Sequence, residues 1–258
     1  MSAEATQQVG APVVSRSSYA RIPAAFRLQF IVPSSLIWVP ALVFTSAWVL
    51  VALVGLWVDH MAESRVPAED PIYTGASQAA VWCLVFMAAY TASHTFPFSM
   101  ALSYSRRVFV LGAFLAFGLV SLAYGAAYAL AAWIERVTDG FGIHFYVFDL
   151  PYLTQGEGGI LAAGAFAAVL CLALMMVGFF WAILYRRVTV PVLWATILGA
   201  AVVLLALAMV ITQNEWWASI WSWLSEQSAL TLAAWLVAPA VLITVLNYVV
   251  IRKATPTP

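Results

Sequence analysis

The chain has 258 residues, 64% of them hydrophobic and only 9% charged, with 12 Trp and no formal net charge. A soluble globular domain carries about a quarter charged residues, so this composition excludes one and leaves little polar sequence for a separate domain. Apolar runs of about 20 residues, each enough to cross a hydrocarbon core of about 30 Å, recur along the whole length and predict an all-α, polytopic membrane protein with six transmembrane helices.

Residues 1–18 read as a disordered tail. The stretch YARIPAAFRLQFIV, residues 19–32, reads as a short helix lying in the membrane interface. Pro23 suits a first helical turn. Ile22, Phe26 and Phe30 follow at spacings of four, with Arg21 and Arg27 off that stripe and Gln29 interrupting it. A plain basic anchor is the other reading of the same residues. Arg16, Arg21 and Arg27 precede any long apolar run, so no cleavable signal peptide is expected, and the first span, near 36–58, acts as its own anchor.

The second span, near 76–96, ends in TASHTF, where His94 is the only ionisable group close to membrane depth and Thr91, Ser93 and Thr95 can satisfy its ring locally. Next comes FPFSMALSYSRRV. Pro97 suits the start of a short helix over 97–107. In such a helix Phe98 and Leu102 share one face, while Met100, Tyr104 and Arg107 share another at i, i+4, i+7. One apolar face can lie on the spans and the other must meet something else. The segment is also longer than a connection between neighbouring helices requires; LYRRVTVP, 184–191, is the minimal case.

The third span, near 108–134, carries Ser121, Gly125 and Ala129, a small-residue stripe that permits close helix approach, either inside one subunit or between two. The loop after it, ERVTDGFGIHFYVFDLPYLTQGEGG, is rich in aromatics, and its lone His144 has no second His or Cys to complete a metal site. Spans four and five fall near 159–184 and 190–212. Before the sixth, near 229–251, residues 214–228 hold Trp216, Trp217, Trp221 and Trp223. Trp favours the membrane interface, so this segment reads as a short interfacial or re-entrant helix, or as an aromatic gate for substrate. Pro239 should loosen the sixth span. Cys83 and Cys171 both fall within spans and read as small buried apolar side chains.

Counted by side, nine of the 11 Lys and Arg lie with the termini, and ten of the 11 acids lie opposite. The positive-inside rule therefore predicts cytoplasmic termini in the cell's inner or plasma membrane, and it supports six spans independently of hydropathy. No acid or base falls at mid-span, which argues against ion-coupled transport and voltage sensing. Zinc-protease and serine-nucleophile motifs are missing. Lys253, the only lysine, sits near the C-terminal end in IRKATP, so a Walker A loop is impossible. No metal, no catalytic residue and no nucleic-acid partner is expected of this chain, and energy for uphill transport must come from another one.

The chain resembles, over about residues 20–253, the membrane subunit of an ATP-binding-cassette exporter of the type-2 permease superfamily, which shares its fold with the G-subfamily transporters. The likeness rests on the N-terminal interfacial helix, six spans, SYSRRVFVLGAFL leading into span three, GFFWAILYRR ending span four, and the Trp-rich segment before span six. Tyr104 and Ser105 stand where a Gly often precedes the Arg pair. The resemblance implies a dimer with a second copy or a paralogue, and cytoplasmic ATPase subunits that hold the ATP and Mg. It also makes the stretch from Phe98 to Arg107, including Met100, Leu102, Ser103, Tyr104 and Arg106, a coupling helix that docks on the ATPase. An uncharged, aromatic-lined membrane region suits an amphiphilic or hydrophobic cargo such as a peptide, drug or lipid. Two other readings are a membrane scaffold or sensor that binds a cytoplasmic partner without transport, and a membrane-embedded enzyme built around Tyr90, Ser93 and His94.

Overall fold

A computed structural model describes residues 18–32, 34–62 and 71–252; most of the expected N-terminal tail, Arg65 and Lys253 lie outside the described residues. Among the described residues six helices are long and apolar enough to cross a membrane: Ser34–Val58, Gln78–Ala101, Arg106–Val137, Gly159–Arg187, Val190–Gln213 and Ala229–Ile251. Each expected span has its counterpart, with ends moved by a few residues. The largest extensions are in the second and third, which run to within four residues of each other.

In chain order, helix α1 (Ile22–Leu28) precedes a π-type turn that opens α2 (Val39–Ala62). The strand β1 (Ile72–Tyr73) leads to α3 (Gln78–Tyr90), which passes through another π-type turn into α4 (Phe96–Ala101). Then come α5 (Arg106–Val137), β2 (Phe145–Tyr146), the single turn α6 (Pro151–Thr154) and α7 (Gly159–Arg187). The last elements are α8 (Val190–Gln213), α9 (Trp217–Glu226) and α10 (Ala229–Arg252).

Helix α7 is the hub and packs against α3, α5 and α10. Lipid tails are as apolar as the side chains, so close packing and internal hydrogen bonds must hold such helices together. Small residues supply the packing. A Cβ on Gly125 would sit 2.7 Å from the Ala168 Cβ and against the Gly164 carbonyl, and one on Gly164 would sit 2.8 Å from the Ala129 Cβ. The Ser121–Gly125–Ala129 stripe thus meets α7 of its own chain, and Ser121 Oγ donates to the Gly118 carbonyl of its own helix at 3.0 Å. A second subunit cannot use that stripe without displacing α7. On the far side, buried Asn247 of α10 donates through Nδ2 to the Met176 carbonyl at 2.9 Å. The centre is filled by Cys171, Met175 and Phe179, the last edge-on to Phe117 at 5.5 Å.

One span and the short helix after it stand apart from this core. Helix α8 buries no side chain at all, and neither does α9. A helix apolar on every side, left uncovered by its own chain, faces lipid or another protein.

Candidate functional site

At the end of the molecule carrying the arginine pairs, α1 lies across the start of α5. Its buried face is Ala25, Leu28 and Gln29, not the Ile22–Phe26–Phe30 stripe read from spacing, which is only half-buried. The reason is local. A Cβ on Gly112 would come within 2.7 Å of the Ala25 backbone, so α1 approaches α5 where both residues are small. Gln29 then turns inward and donates to the Ala25 carbonyl at 3.4 Å.

The turn between α4 and α5 is fixed by backbone bonds rather than formed as a separate helix over 97–107. Tyr104 N–H donates to the Ser99 carbonyl at 3.1 Å and Ser103 N–H to the Met100 carbonyl at 3.0 Å. Ser103 adopts φ +59°. Together these make a Schellman exit, with Ser103 in the left-handed position that Gly usually fills. Ser105 is extended and caps α5, its hydroxyl accepting from Val108 N–H at 3.4 Å. Helical spacing stops at Ala101, so Met100, Tyr104 and Arg107 do not line one helical face. Instead Met100 packs partly against the core, whereas Phe98 and Leu102 stay 50% and 46% exposed, and Arg107 is exposed too. Arg21 clamps this turn: its guanidinium lies 5.6 Å from the Tyr104 ring centre and Nη1 donates to the Ser103 carbonyl at 3.3 Å.

Nearby, His94 stacks on Tyr90 with ring centres 4.2 Å apart. The contact is a ring stack, and Ser93 is half-buried beside it. No group of three His, Cys, Asp or Glu able to hold a metal occurs among the described residues.

At the opposite end a feature unforeseen from sequence organises the loops. Glu135, 0% exposed, accepts from three successive backbone N–H groups through Oε2: Val147 at 3.0 Å, Phe148 at 2.8 Å and Asp149 at 2.9 Å. Its Oε1 accepts from Trp48 Nε1 at 2.9 Å. Next in sequence, Arg136 grips Asp149 with two bonds of 2.6 and 3.0 Å, and Thr154 Oγ1 donates to the same carboxylate at 2.6 Å. Strands β1 and β2 pair in parallel, Ile72 with Phe145 and Tyr73 with Tyr146, joining the loop after α2 to the loop after α5. Tyr146 donates to Asp139 at 2.7 Å; burial first, then that bond and the carboxylate's charge, push its hydroxyl up to about 12. His144 lies 3.1 Å from the same Asp139. The signal for Glu135 was present: it stands one helical turn beyond the apolar Ala131 and two beyond Tyr128, on the face of α5 that is buried.

The four tryptophans expected as an outer interface or gate sit on or just before α9. All are substantially exposed, Trp221 the most at 72%. Trp217 Nε1 donates to Thr212 Oγ1 at 2.9 Å, tying α9 to the end of α8, and Trp223 meets Trp235 of α10 edge-on at 5.8 Å.

Six long apolar helices, with α7 the hub among them, are the architecture of a multi-pass, all-helical membrane protein. Comparison of the chain with protein-family models, with curated proteins and with solved structures found no match in any of the three.

Proposed function

We propose that this chain is the membrane-spanning subunit of an ATP-driven exporter, working as a dimer with separate cytoplasmic ATPase subunits. The observation that carries the reading is the turn 102–105: rigidly closed at both helix ends, clamped by Arg21, and still presenting Phe98, Leu102 and Arg107 outward. Exposed apolar side chains beside an arginine, on a backbone that cannot flex freely, suit a surface that transmits force from a partner. The charge asymmetry of the sequence supports a cytoplasmic position for this end. The uncovered α8 supplies a face for the second subunit, and an aromatic interior without acids or bases at mid-span favours amphiphilic or hydrophobic cargo.

The test is purification of the chain from its native membranes in mild detergent, followed by an ATPase assay. An ATPase chain should co-purify, and Arg106→Glu with Arg107→Glu should release it or uncouple hydrolysis from transport while the protein stays folded. Full coupling in that variant would sink the assignment of this turn, whereas no ATPase partner at all leaves the non-transporting scaffold as the better reading.

A further inference from the structure

At the end opposite the Arg21 clamp, α6, α7, α9 and α10 line an open-sided chamber of about 730 Å³, walled by Leu153, Phe166, Leu170, Trp221, Trp223 and Trp235. It continues into a second space of about 520 Å³ that shares Tyr152, Ser225 and Gln227 with it and is rimmed by Glu157 and Glu226. The chamber's size matches pockets that take drug-sized molecules, which also combine apolar walls with a few polar groups. Lipid could fill apolar walls alone, so the mouth decides the occupant. Both carboxylates are exposed, and neither forms an ion pair among the described residues. Arg136, the described arginine at this end, is already held by Asp149. An anionic phospholipid would bring its phosphate against two unpaired carboxylates. An organic cation would find opposite charge at the mouth and indole faces, the best cation–π partners, just beneath.

We propose that the chamber and its mouth form a binding site for a lipophilic organic cation, the apolar body among Trp221, Trp223 and Trp235 and the charge at Glu157 and Glu226. The site stands on the chain's own geometry and needs no ATPase partner.

Flow dialysis of tetraphenylphosphonium against the full chain in zwitterionic-lipid nanodiscs tests it, with empty nanodiscs as the baseline and no ATP present. Saturable binding of one ion per chain is expected. Glu157→Gln combined with Glu226→Gln should weaken it by about tenfold, a change of about 1.4 kcal/mol. These side chains are exposed, so size-exclusion profiles should not change. Tetraphenylborate, of the same shape and opposite charge and dialysed on its own, should not saturate. Binding no greater than to empty nanodiscs, undiminished binding by the double variant, or equal binding of the borate would each overturn the site. None of these outcomes bears on the ATPase partner, which the co-purification reads separately.

Discussion

Trp48 and Glu135 are joined by a 2.9 Å hydrogen bond from the indole N–H to a fully buried carboxylate, and through it α2 is tied to α5 and to the loop that follows α5. The same carboxylate satisfies three backbone N–H groups. Its removal leaves those donors buried and unpaired, the costly kind of hydrogen-bond loss. Glu135→Ala should lower stability by on the order of 3 kcal/mol. Glu135→Gln should cost less, because one acceptor oxygen remains, and Trp48→Phe least of all. Thermal unfolding in detergent, followed by loss of the monodisperse peak, ranks the three.

The glycines of α5 make a paired test. A Cβ on Gly125 collides with α7, whereas one on Gly118 meets nothing within 4 Å. Gly125→Leu should abolish a folded product. Gly118→Ala should be neutral or stabilising by up to about 1 kcal/mol, since Gly is the poorer helix former. Expression and unfolding temperature separate these outcomes.

Ser103 offers a gain. It holds φ +59° in the helix exit, a conformation costing an L-residue about 1 kcal/mol or more. Ser103→Gly should raise stability by about 1 kcal/mol with the turn unchanged. A lower unfolding temperature in this variant would mean that the Schellman exit is not what holds the turn.

The Arg21–Tyr104 contact is open to a double-mutant cycle. Arg21→Ala and Tyr104→Ala should each loosen α1, with a coupling of about 0.5–1 kcal/mol, the range for an exposed cation–π pair. If the turn conveys force to the spans, both variants should also weaken the link between ATP hydrolysis and transport.

For the proposed dimer, cysteines introduced at Val203→Cys and Leu207→Cys on α8, in a chain lacking Cys83 and Cys171, should cross-link two copies in native membranes. Monomer alone under oxidising conditions would assign that face to lipid.

The six spans were legible because each is a long apolar run, a signal that does not depend on what packs where. The close approach of α5 to another helix was legible too, as a spacing of small residues, but its partner was not, since such a stripe fits any helix equally well. Spacing could not show which face of α1 the protein covers, because Gly112 selects Ala25 and no pattern within α1 reveals a glycine 87 positions further on. The exit at Ser103 was missed because Gly normally marks it, which made a continuous helix to Arg107 the natural reading. Glu135 was counted as one more outer acid because topology counting assigns charges to loops and ignores the helix face on which they fall.

The central position of α7 has a consequence for how the protein is made. Of the six long helices, Gln78–Ala101 is the least apolar, and its α3 portion leans mainly on α7. Translation delivers α7 only after the whole of α5 has been threaded. Until then the second span sits in the bilayer with the weakest lipid solubility and without its principal neighbour, which makes it the stretch of nascent chain most dependent on help from the insertion machinery. Helix α8, strongly apolar and needing no contact with its own chain, can enter unaided.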